Sequence, residues 1–112
     1  MKYMMLVCTG EPVKLSAEEE AQVPSVDSWV DEMDGRGVRL QGNQLRSPND
    51  ATTVRVRHGE VLVADGPFAE TKEQIAGFDI LECGSLDEAI EVASKHPMAY
   101  WGMLEIRPFW EE

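Results

Sequence analysis

Nine consecutive positions gather several of the groups in this chain that could do chemistry: Asp65-Gly66-Pro67-Phe68-Ala69-Glu70-Thr71-Lys72-Glu73. An aliphatic stretch ends there in a turn set by Gly66 and Pro67, and ionisable side chains follow at once. Strand ends that open into loops are where binding groups project. A carboxylate held by a Gly-Pro turn beside an apolar ring such as Phe68 is open to a raised pKa, which suits a general acid or base. Asp65 is the candidate proton-transferring group on this view. Gly66, Pro67, Phe68, Glu70 and Lys72 then form a ligand-binding loop, with Lys72 or Arg107 orienting an anionic substrate. The same string is also an ordinary turn, in which Asp caps backbone amides, Gly takes a positive φ and Pro stiffens the exit. Glu70, Lys72 and Glu73 then make one solvated helical turn.

Other candidates are weaker. His58 falls at a hairpin tip, and His96 precedes Pro97 at a helix end, where an imidazolium suits the negative end of the dipole. Cys8 and Cys83 each close an apolar run and match no metal spacing, so they are expected as small hydrophobes. No metal or other cofactor is expected, and no Gly-rich phosphate loop is present. Trp29, Trp101, Phe109 and Trp110 read as core or interface aromatics.

The elements that must position these groups can be drawn from periodicity. Lys2 to Cys8 is almost entirely apolar, as a central strand is. Ser16 with Glu19 forms a capping box, and Pro24 kinks or restarts the helix that it opens. Val26, Trp29, Val30 and Met33 then mark one helical face, ended by Gly35 and Gly37. Strands are expected over 38–45, 53–57 and 60–64, with His58-Gly59 turning the last two into a hairpin. A further strand runs over 75–83, where Gly77 signals a bulge. Ser85 with Glu88 opens a second helix, stopped by Lys95-His96-Pro97, and Met103 to Arg107 closes the pattern.

The order is β-α-β, an added hairpin, then β-α-β: an α+β domain over 1–112 of ferredoxin-like βαββαβ type. Two helices cover one face of an antiparallel sheet. The other face is left bare, and covering it with a second copy gives a homodimer.

Ten Lys and Arg against 21 Asp and Glu give a net charge of −11, a surface that repels phosphate backbones, so no direct nucleic-acid partner is expected. No apolar run nears the ~18–20 residues of a membrane span, and Tyr3 to Cys8 lacks the flanks of a signal peptide, so a cytoplasmic protein is expected.

The string DGPFAETKEQ at Asp65 to Gln74, after Thr-Val-Arg-Val-Arg at Thr53 to Arg57, resembles the DGPF-motif branch of the YCII-related family. The opening Lys-Tyr-Met-Met-Leu, Ser85 to Ala89 and Glu105 to Pro108 extend the resemblance along the chain. It implies a dimeric α+β barrel of ferredoxin-like protomers. Some members are thought to use a His-Asp pair in a pocket, and relatives of the fold isomerise or dehydrochlorinate ring compounds. Their His lies in the first helix, where this chain has Ser25-Val26-Asp27-Ser28-Trp29, so Asp65 alone carries over. The resemblance also implies an alternative: a non-catalytic, transcription-associated module acting through a protein partner.

Overall fold

The computed structural model describes residues 1–69 and 72–111. Its elements run β1 (Lys2–Thr9), α1 (Ala17–Gln22), α2 (Val26–Gly35), β2 (Arg39–Gln44), β3 (Thr52–Arg57), β4 (Glu60–Asp65), β5 (Gln74–Glu82), α3 (Leu86–Ser94), α4 (Met98–Trp101) and β6 (Met103–Pro108). The main sheet has the order β2-β5-β1-β6, and every neighbouring pair in it is antiparallel. Each β-α-β unit is thus split by a strand of the other, the ferredoxin-like arrangement that the sequence predicts.

Local signals explain the helices. The Ser16 hydroxyl accepts from the Glu19 amide at 3.1 Å while the Glu19 carboxylate accepts from the Ser16 amide at 3.2 Å. At α3 the Ser85 hydroxyl accepts from the Glu88 amide, but the Glu88 carboxylate reaches one residue further back, to the Gly84 amide. Pro24 lies between two separate helices instead of inside one kinked helix. Of these, α1 buries no residue, whereas α2 and α3 supply Trp29, Met33, Ala89, Val92 and Ala93 to the core. The short α4 and the 3-10 turn at Pro48–Asp50 are additions to the expected pattern, too short to leave a periodic trace.

The sheet alternates as a half-covered sheet should. Tyr3, Met5 and Val7 of β1 and Leu81 of β5 are buried under α2 and α3. Met4, Leu6 and Cys8, on the opposite face of β1, lie across from Ile80, Phe78 and Ile75 and stay half-buried or exposed. The bulge expected at Gly77 is present: Val7 pairs with Gly77 and Cys8 with Ile75, which leaves Ala76 without a partner on β1.

The hairpin β3–β4 forms a sheet of its own. His58 and Gly59 turn it with φ of 50° and 78°, the two positive values that a tight hairpin loop requires. Val54 faces Val63 and Val56 faces Val61, and all four are 57–66% exposed. The radius of gyration, 16.4 Å, exceeds the roughly 13 Å of a compact chain this long, because this arm stands off the body.

Candidate functional site

The sequence-predicted loop is scattered. Asp65 ends β4, paired with Thr52, and its carboxylate is exposed without a hydrogen bond among the described residues. Gly66 has the expected positive φ, donates its amide to the Ala51 carbonyl at 2.7 Å, and accepts the Thr53 hydroxyl at 2.8 Å. Pro67 and Phe68 line a shallow hollow of about 460 Å³ with Cys8 and Ile75, and Asp65 and Lys72 do not line it. Lys72 pairs with Glu11 at 2.6 Å and Arg107 with Glu105 at 2.5 Å, both on the surface. Glu70 lies outside the described residues. Of the 65–73 string, Pro67, Phe68, Ala69 and Glu73 share that hollow.

A different set converges on the helix-covered face. Gly42 of β2 and Gly77 of β5 sit on that face, opposite Asp79 and Val7 respectively. Both glycines line a cavity of about 500 Å³ beside α2, and each is closely backed, Gly42 by Asp79 and Gly77 by the Asn43 carbonyl. Its walls include Val7, Val30, Trp29, Asp79, His96 and Met98. Asp79 and His96 are only 6% and 4% exposed, the two buried polar or charged residues of the described chain.

Each is held by one atom. The Arg39 Nε–H donates to Asp79 Oδ1 at 2.8 Å, while the other guanidinium nitrogens donate to Asp34 Oδ1 at 3.2 Å and to the Gly42 carbonyl at 3.3 Å. Burial raises the Asp79 pKa above the ordinary aspartate value, outweighing the Arg39 contacts that pull it down. His96 Nδ1 accepts the Met98 amide at 3.0 Å, a turn-like contact two residues on, so the neutral ring carries its proton on Nε2. The Trp29 ring meets His96 edge-on, with centroids 4.8 Å apart and planes at 70°. Burial lowers the His96 pKa. The imidazolium at a helix end expected from sequence is therefore corrected: the ring is enclosed, and enclosure penalises its charged form.

Asp79 Oδ2 and His96 Nε2 have no hydrogen-bond partner among the described residues, yet no buried side-chain polar atom is both sealed and unbonded. Both atoms therefore reach accessible space, and the cavity is the space that both residues line. Asp79 and His96 thus share one chamber whose walls are mainly apolar, with Thr9, Arg39, Asn43 and Gln44 as further polar residues of the lining. Among the described residues no three His, Cys, Asp or Glu side chains gather as a metal site would require. An exposed ion-pair cluster pins the roof, with Arg36 of the α2 end bidentate to Glu91 of α3 at 2.8 and 3.0 Å. Arg36 first, then Lys95, hold the Glu91 pKa down at about 2.

Two outcomes follow from this geometry. A Cβ at Gly42 would lie 1.9 Å from Asp79 Oδ1 and 2.8 Å from the Phe78 carbonyl. Gly42→Ala is expected to cost about 1–3 kcal/mol in urea unfolding, and an unchanged midpoint would show that the Asp79 seat is loose. His96 also makes stability pH-dependent. Its folded pKa lies below the unfolded value of about 6.5, so the unfolded chain binds more protons in that window and stability falls as pH drops below it. His96→Asn, whose Oδ1 can accept from Met98, should lose less stability between pH 7.5 and 5.5 than the parent; equal losses would exclude His96 as the cause.

The sequence carried a signal for half of this. The run 75–83 holds two carboxylates, and strand alternation sets Asp79, unlike Glu82, with Gly77 and Leu81 on the covered face. For His96 the helix stop obscured the signal, because only the turn into α4 folds its ring inward.

A 62-residue stretch, 52% of this chain, is 48% identical to an uncharacterized protein of Rhizobium meliloti (strain 1021), covering 48% of that protein. The match thus spans about half the length of that curated relative. The profile of the YCII-related domain matches residues 1–112, and the chain accordingly belongs to the YCII-related family.

Proposed function

We propose that this chain is a DGPF-branch protein that works as a homodimer, binds a small organic molecule in the cavity under α2, and moves a proton on it. The observation that carries the proposal is the convergence of two buried titratable groups, each with an unbonded polar atom, on one apolar chamber. Their environments separate their roles. Asp79 is an acceptor whose raised pKa suits a general base, and His96 is a neutral donor. A ligand with a carbonyl oxygen on the His96 Nε2–H and an adjacent C–H toward Asp79 Oδ2 would pass its proton to the carboxylate. The electron pair would move onto the oxygen that His96 holds, and reprotonation would complete an isomerisation.

A ligand-observed NMR screen of small uncharged aromatics and ketones tests the binding step. Val26 is half-exposed at the start of α2 and lines the cavity, so Val26→Trp should close the mouth without disturbing the core. Hits on the parent that vanish with the variant support the site, whereas hits indifferent to the substitution place binding elsewhere.

The homodimer is supported by what stays uncovered. Leu6, Phe78, Met4 and Ile80 form an apolar strip on the open sheet face, and the four hairpin valines add a second apolar surface. At ~25 cal/mol per Å², covering them is favourable, and a two-stranded hairpin is marginal alone. Sedimentation at micromolar concentration should give twice the protomer mass of 12.5 kDa, and a stable monomer would refute the barrel.

A second reading, an interaction module, draws on the DGPF turn. Gly66 is tied by backbone and Thr53 to the base of the hairpin, so the motif can serve to anchor that arm for a partner. On it Asp65→Asn changes stability by under ~0.5 kcal/mol and leaves cavity binding intact. Loss of proton transfer in that variant would instead restore Asp65 to the chemistry.

A further inference from the structure

We infer that the cavity selects uncharged ligands, an acceptor side meeting His96 and a donor side meeting Asp79, and rejects carboxylates and amidinium-type cations alike; this rests on the ligand-binding reading above. The one positive charge on the cavity wall, that of Arg39, is already committed. Arg39 is flanked by Asp79 at 2.8 Å and Asp34 at 3.2 Å, and each of its three nitrogens donates to an oxygen of the protein. On the cavity wall Arg39 and Asp79 cancel, and Asp34, outside the lining, binds the same guanidinium, so no free positive charge faces the ligand. An anionic ligand would set a further negative charge beside Asp79 Oδ2. That the sequence invites an anionic substrate through Lys72 or Arg107 does not help, because neither residue lines the cavity.

A cation is opposed from the other side. With Nδ1 occupied by the Met98 amide, the neutral His96 ring presents only an N–H, so a ligand group offering nothing but donors meets a donor there. A ligand seated there displaces the water that would otherwise accept this N–H, so the mismatch goes uncompensated. Val7, Val30, Trp29 and Met98 accept an apolar body. The favoured class is a compact amide, lactam or enolisable ketone.

Three planar probes of one shape separate the cases: benzamide, benzoate and benzamidinium. Their affinities can be read from backbone and indole ¹⁵N–¹H shifts of Trp29 and Met98 at pH 7.5. Benzamide is expected to bind at least tenfold more tightly than either ion. In Asp79→Asn, whose amide no longer repels an anion, benzoate should come within about threefold of benzamide. Benzoate or benzamidinium equalling benzamide on the unmodified protein overturns the charge selection while leaving the cavity as a binding site. Silence of these resonances to all three probes overturns the selection and the ligand-binding reading together. The comparison on the unmodified protein does not depend on the variant folding.

Discussion

Trp29→Ala is expected to lower the unfolding free energy by about 3–5 kcal/mol, the range for emptying a large aromatic site in a packed core. The ring is 2% exposed and among the largest fully enclosed side chains. Its loss removes dispersion contacts and opens a void that merges with the cavity beside α2, so α2 cannot settle to refill it. It also removes a bond between helices. The indole Nε1–H donates to the Val92 carbonyl at 2.9 Å, an oxygen in the last turn of α3 whose backbone partner, the Lys95 amide, lies at 3.3 Å. For a domain this size the melting temperature should drop by roughly 10–20 °C. Trp29→Phe, which keeps an aromatic body but no donor, should lose well under half as much. Equal losses for both variants would assign the stability to the indole hydrogen bond, and a loss below ~1.5 kcal/mol for alanine would mean that α2 is not the roof of the core.

How much of this was legible differs between fold and site, for physical reasons. Strand and helix order is a local matter of period and caps: Ser16, Ser25 and Ser85 each start a helix, and each does so with a hydroxyl that accepts a backbone amide. The split β-α-β topology follows from that order with little freedom left. The candidate site is not local. Asp79 and His96 meet one chamber only because the sheet register sets Gly42 and Gly77 on its floor and α4 turns the chain back after Pro97. Nothing in the 65–73 string shows that its charges disperse. Lys72 crosses to Glu11 and Arg107 settles beside Glu105, each taking the nearest acid on an acidic surface. Motif density thus draws attention to a turn that ties the base of a hairpin, while the buried titratable residues are single and spread along the chain.

Asp79→Asn should separate function from stability more cleanly than any other change. Proton transfer by a positioned side chain contributes on the order of 10²–10⁴ in rate, and an amide cannot accept the proton, so turnover should fall by that factor. Stability should not follow. Asn Oδ1 can still accept the Arg39 Nε–H, and Arg39 keeps Asp34 and the Gly42 carbonyl. The sign at neutral pH favours the variant. Burial holds the Asp79 pKa above its ordinary 3.8, so between that value and the raised one the folded state binds more protons than the unfolded chain. Stability therefore falls as pH rises through that window, and at pH 7 the ionised carboxylate is a net cost that asparagine removes. Unfolding free energy at pH 7 should stay within about 1 kcal/mol of the parent, or rise. Solvent deuterium entering the α-positions of cyclohexanone offers a rate to follow beside urea denaturation. A collapse of 3 kcal/mol or more would make Asp79 a structural counter-ion to Arg39, and an unchanged exchange rate with normal stability would remove it from the chemistry. Only an intact fold with lost exchange fits a carboxylate kept buried for proton transfer.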